Sequence, residues 1–110
     1  MARQLGPVIE RLSIFPERTN VQFVLLDRQN LEVQIWERGV GYTLSSRTSS
    51  CAAAAVSRKL GLVDPRVDVQ MPGGVISIKL DSDYEVLMQG PACRVGRYWL
   101  DDEALVGGCE

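Results

Sequence analysis

The apolar positions of this chain change their period along its length. From Asn20 to Asp27 (NVQFVLLD) and from Leu31 to Glu37 (LEVQIWE), β-branched, aromatic and leucine side chains alternate with polar ones or run together, as they do in strands with one or both faces buried. Between them Asp27-Arg28-Gln29-Asn30 has turn composition, so the two segments are expected to form a hairpin. From Ser45 the pattern becomes helical. SSRTSSCAAAAVSRKLG opens with hydroxyl residues able to cap, passes through four alanines and ends on Arg58-Lys59 before Gly61, which predicts one helix over residues 49–60. Its middle is small rather than amphipathic with large apolar residues, so close approach to its backbone on more than one side is expected, and with it an enclosed helix.

Beyond Asp64-Pro65, Pro72-Gly73-Gly74 and Asp81-Ser82-Asp83 are strong turn signals. They divide the rest into three or four predicted strands, Val67 to Met71, Val75 to Leu80, Tyr84 to Gln89 and Cys93 to Leu100. The head, LGPVIERLSIFPERTN, combines a short helical stretch with a stop at Pro16, and the tail after Asp101 is acidic and glycine-rich. No internal repeat is visible. The pattern predicts an α+β fold in which a mostly antiparallel, curved sheet wraps around one central helix.

Composition narrows the chemistry. At 110 residues the chain has room for a single domain. The absence of histidine removes Ser-His-Asp triads, Cys-His dyads and nearly every zinc enzyme, which need imidazole as base or ligand. A net charge of -2, with no basic run longer than Arg58-Lys59, offers phosphates no attractive field, so nucleic acid is not an expected partner. Apolar runs such as Cys51 to Val56 fall far short of the ~18 residues a spanning helix needs, and MARQLGPVIE has no signal-peptide core. A cytoplasmic protein is expected, without a membrane contact, a metal or a cofactor. Cys51, Cys93 and Cys109 are odd in number and lack C-x-x-C spacing, which suits reduced thiols better than a disulfide framework.

Phe15-Pro16-Glu17-Arg18-Thr19-Asn20-Val21 and Trp36-Glu37-Arg38-Gly39-Val40-Gly41 carry a resemblance, extended in order by Leu5-Gly6-Pro7, the alanine-rich helix, Pro72-Gly73-Gly74 and Gly90-Pro91-Ala92 with Val95. Over nearly its whole length the chain resembles the C-terminal half of diaminopimelate epimerase, a cofactor-independent enzyme family of lysine and peptidoglycan precursor synthesis. The resemblance implies one of two pseudo-symmetric halves, each a sheet around a central helix, with substrate held between the two helix N-termini. It implies proton transfer at the α-carbon by two cysteines, one from each half, each acidified at a helix N-terminus whose N–H groups also hold the α-carboxylate. Asn20, Glu37 and Arg38 match positions that bind the substrate's amino and carboxylate groups, and Arg47 and Thr48 fall in the helix-start segment. A start at Met1 without the other half is expected of a free-standing product as much as of an excised piece.

The catalytic segment departs from the family's Gly-Glu-Thr-Leu-Ala-Cys-Gly-Thr-Gly-Ala-Cys. This chain reads Gly41-Tyr42-Thr43-Leu44-Ser45-Ser46-Arg47-Thr48-Ser49-Ser50-Cys51, with Ser46 at the catalytic cysteine and Arg47 and Ser49 at two glycines. A serine is far less acidic than a thiol, and the two larger residues are expected to crowd the pocket. Cys51 aligns with a second, non-catalytic cysteine and is expected to pack. Taken alone, Glu37-Arg38 reads equally as a solvated ion pair, Asn20 as a turn cap, and Arg47 as a solvent-facing residue or as part of an anion site with the neighbouring serines. The expectation is therefore a non-catalytic or impaired relative that dimerises with itself, with a swap of the Cys93 to Leu100 segment as one route, around a cleft for a small amino acid or anion. Two alternatives stand beside it: an amino-acid epimerase completed by a partner half, and a relic domain kept for its surface.

Overall fold

A computed structural model describes residues 1–105; Cys109 and the glycine-rich end of the tail lie outside the described residues. Helix α1 (Ala2–Glu10) carries Pro7 in its second turn and closes at Arg11. Strands β1 (Val21–Asp27) and β2 (Asn30–Glu37) form the expected hairpin, paired from Val21↔Trp36 to Asp27↔Asn30. Its loop is reduced to Arg28-Gln29, and Arg28 takes φ 57, the left-handed conformation that such tight loops favour. Strand β3 (Gly41–Thr43) folds back along β2 and leads into α2 (Arg47–Lys59). Strands β4 (Arg66–Met71), β5 (Gly74–Leu80) and β6 (Val86–Gln89) follow as an antiparallel meander, and α3 (Asp102–Leu105) is a single turn.

The strands make one open sheet in the order β1-β2-β4-β5-β6, with β3 also on β2. Every pairing is antiparallel except β2 with β4, which run parallel through Leu31↔Val69 and Glu32↔Gln70. Parallel neighbours need a crossover, and α2 supplies it. Alternation places Leu31, Val33 and Ile35 of β2, Val67, Val69 and Met71 of β4, and Ile76, Ile78 and Leu80 of β5 on one face, all buried against Ala53 and Ala54 of α2. Each such aliphatic side chain contributes about 1.5–3 kcal/mol on burial. The alanines have no bulk to hold the helix off the sheet, which explains the small-residue middle of α2.

Several expectations need correction. The helix is not enclosed: Ser49, Ser50, Ala53, Ala54 and Ser57 face the sheet, whereas Ala52, Val56 and Lys59 are exposed, because an open sheet covers one side only. It starts at Arg47, before the expected position, because the capping residue is Ser46. Helix α1 ends at Glu10, well ahead of Pro16. Residues Cys93 to Leu100 form no strand: the whole stretch is exposed and pairs with no described strand. Strand β6 begins at Val86 rather than Tyr84: Tyr84 has φ 63, and Asp81 Oδ1 accepts from the N–H groups of Asp83 (2.8 Å) and Glu85 (2.9 Å), holding a turn there. Strand β3 and α3 have no counterpart in the sequence expectations.

Candidate functional site

The start of α2 is built from hydroxyls. Ser46 sits at φ -148, ψ 125, and its Oγ accepts from the Ser49 N–H at 3.4 Å, one of the donors a helix start leaves without an internal partner. The Thr48 hydroxyl lies 3.3 Å from the same Oγ, while the Ser46 carbonyl accepts from the Ser50 hydroxyl at 2.6 Å. The residue at the resemblance's cysteine position thus serves as a helix cap, and its partners are hydroxyl and amide groups rather than a base.

Arg47 and Thr48 are exposed at this helix end. Arg47 borders an open cleft of about 450 Å³, shared with Ser45, Gly73, Met88, Gly90 and Pro91. Gly73 belongs there for a steric reason: its N–H donates to the Leu44 carbonyl at 2.8 Å, and a Cβ on it would stand 2.9 Å from that same oxygen and from Ser45 Cβ. The Pro72-Gly73 turn is therefore seated against the backbone that enters α2. Ser49 does not crowd this cleft, contrary to expectation. It points inward, 2% exposed, and its Oγ accepts from Gln22 Nε2 at 3.0 Å.

Asn20 and Arg38 are brought into contact. Asn20 Oδ1 accepts from the Arg38 N–H at 2.8 Å, and Arg38 Nη1 donates to the Glu17 carbonyl at 3.0 Å. Glu37 ends β2 on the face shared by Leu31, Val33 and Ile35, the face that carries α2. Glu37 and Arg38 make no ion pair with each other: among the described residues the ion pair is Arg18 with Glu10, at 3.7 Å. The Asn20-Glu37-Arg38 group and the Ser46-Arg47-Thr48 group are linked by β3 along the chain and by the Gln22–Ser49 bond across the core face.

Sequence reasoning missed Glu10. The residue is 4% exposed, and its carboxylate accepts from Trp36 Nε1 at 2.7 Å and from the Gly39 N–H at 3.2 Å and faces Arg18. The Trp36 bond first and the Gly39 bond next lower its pKa below the ordinary glutamate value, against the opposing effect of burial, with Arg18 and Arg11 adding to the lowering. On the same side of α1, Gly6 lies so close to the Trp36 ring that an added Cβ would overlap it, and the Arg3 guanidinium stands 4.0 Å from the centre of the Tyr42 ring. The available signal was the helical spacing of Arg3, Gly6 and Glu10, with a carboxylate ending an otherwise apolar stretch. Cys51 is half-buried against the core, and burial pushes its thiol pKa up, keeping it protonated. Among the described residues, no cluster of three or more His, Cys, Asp or Glu is arranged to hold a metal, and no helix is long and apolar enough to cross a membrane.

Comparison with known proteins places this geometry in context. The family profile described as diaminopimelate epimerase matches residues 1–95. "Diaminopimelate epimerase 2" of Nostoc sp. is 46% identical over 104 residues, 94% of this chain and 36% of that protein. The diaminopimelate epimerase of Sphingopyxis alaskensis is 44% identical over 93 residues, covering 84% of this chain and 35% of the relative. That of Azotobacter vinelandii is 44% identical over 94 residues, covering 84% and 34%. The chain thus spans about a third of the length of these curated relatives.

Proposed function

Because this chain belongs to the diaminopimelate epimerase family, we propose that it is a catalytically impaired member, a homodimer that binds a small amino acid or carboxylate without epimerising it. The observation that carries this reading is Ser46. Racemisation at an α-carbon without pyridoxal phosphate needs an acid and a base on opposite faces, and a serine hydroxyl engaged as a helix cap, with no base among its partners, supplies neither. The binding positions Asn20, Glu37 and Arg38 are kept, and the α2 start with Arg47 and Thr48 offers N–H groups and a guanidinium to a carboxylate.

Dimerisation has two supports. On the face of the sheet that carries α2, Val24 and Leu26 of β1 and Val86 and Met88 of β6 are exposed, and Val56 is exposed on the helix itself. The segment after β6 adds Val95, Tyr98, Trp99 and Leu100, with Trp99 89% exposed. A second copy laying this segment along the open edge would cover both surfaces. Half-buried Cys51 and exposed Cys93, not bonded to each other, agree with a cytoplasmic setting.

The test is the mass of the purified chain by sedimentation, with and without meso-diaminopimelate, alongside calorimetry with the same compound. A dimer that takes up heat-detectable ligand is expected. A monomer at micromolar concentration sinks the dimer, and a ligand-silent titration removes the binding function. The epimerase names of the relatives support a second reading, a cofactor-independent amino-acid epimerase completed by a partner half that bears a cysteine. Deuterium exchange at the α-carbon of meso-diaminopimelate separates the two: none is expected of an impaired member, exchange catalysed by the unmodified sequence supports the epimerase, and exchange should rise in the Ser46→Cys, Arg47→Gly variant if the architecture remains competent.

A further inference from the structure

The turn that carries Glu37 and Arg38 has little internal support. Arg38, Gly39 and Val40 are all exposed, Gly39 and Gly41 have φ values of 73 and 101, and between the paired strand ends Glu37 and Gly41 the turn's own backbone bond runs from the Val40 N–H to the Glu37 carbonyl at 3.1 Å. Such a loop would sample many conformations if left to itself. Two side chains from outside grip its successive amides: Asn20 Oδ1 takes the Arg38 N–H, and Glu10 Oε1 takes the Gly39 N–H. The other Glu10 oxygen holds Trp36, the residue preceding Glu37, and Gly6 lets α1 close onto the same ring. Arg3, one turn earlier, stacks on Tyr42 just after the loop.

We infer that Glu10 is the positioning residue of the Glu37-Arg38 site, its buried carboxylate fastening the turn's entry at Trp36 and its middle at Gly39 to α1. A residue present only to fill space would not need an acceptor for two divergent donors, and apolar side chains would satisfy neither the indole nor the Gly39 N–H. The charged groups facing Glu10 are Arg18, at 3.7 Å, and Arg11, so the carboxylate enters as the anionic member of this group. Glu10→Gln keeps the shape but offers one oxygen and one amide nitrogen, so one of the two donors must lose its acceptor. The consequence for binding rests on the proposed role of Glu37 and Arg38; the consequence for the turn does not.

The experiment uses the full chain labelled with nitrogen-15. In the unmodified protein the Trp36 indole N–H and Gly39 amide signals should move together with pH, with a shared midpoint below the ordinary glutamate value. In Glu10→Gln both should be insensitive to pH, and the Arg38 amide should exchange with solvent about tenfold faster while the core Val69 amide keeps its rate. Signals in the unmodified chain that ignore pH, or an Arg38 exchange rate unchanged in the variant, would overturn the inference. If Glu10→Gln does not fold, the titration of the unmodified chain still decides. In calorimetry with meso-diaminopimelate, a tenfold or greater affinity loss in Glu10→Gln is expected, and equal affinities would overturn the positioning role. An unmodified chain that binds nothing removes the proposed function instead, and leaves the amide measurements to judge Glu10.

Discussion

Glu10 has a stability consequence whose sign follows from its surroundings. Its folded pKa is lowered, so the unfolded chain takes up a proton at higher pH than the folded one. Its contribution is therefore fully present above the ordinary value of 4.5 and is lost as pH falls through the lowered folded value. Urea unfolding followed across that acid range should show a falling midpoint, with a smaller fall in Glu10→Gln. Ser46 makes the second residue-scale prediction. Replacing it with alanine removes the acceptor of the Ser49 N–H and should lower stability by about 1 kcal/mol, as measured by chemical denaturation. That hydroxyls open α2 was legible, because such residues before a helical run cap it, but which one caps was not: the expected helix began at residue 49, and the cap is Ser46. Glu10 was not legible, because a lone carboxylate in a short helix looks like any solvated one until the fold brings Trp36 and Gly39 to it.

At the scale of elements, local chemistry and tertiary contact divide the result. The β1–β2 hairpin and the Pro72-Gly73 turn could be read directly, since strand periodicity and turn residues agree there. The three-residue β3 is too short to show a period and exists because β2 offers it an edge. Cys93 to Leu100 has strand composition, yet pairing depends on a partner edge that composition cannot supply. Gly73 has a use beyond the turn itself, since its missing side chain lets Leu44 and Ser45 close over it. Gly73→Ala should therefore cost about 1–3 kcal/mol, more than a surface substitution in a hairpin loop would. It should also shift the nuclear magnetic resonance signals of Ser45 and Arg47, which share the cleft.

For the molecule as a whole, the radius of gyration of 17.4 Å exceeds the roughly 13 Å of a compact domain of this length. The excess reflects the exposed segment after Gly90, which contributes nothing to the core cluster. Deleting the chain beyond Gly90 should leave the denaturation midpoint nearly unchanged. If a second copy binds this segment, the same deletion should reduce the sedimenting mass to that of a monomer.

The parallel seam has a kinetic consequence. The β1–β2 and β4–β5 hairpins join neighbours in sequence, so each can form within microseconds. Leu31 and Val69 are separated by all of β3 and α2, and they meet over only two residue pairs. Closing that large loop before the core rewards it should set the folding rate. In pulsed hydrogen exchange, the Leu31 and Val69 region should gain protection together with α2 in one slow phase. Helix and seam would then form as a single cooperative event, and a chain caught before it would hold two finished hairpins with an unfolded crossover between them.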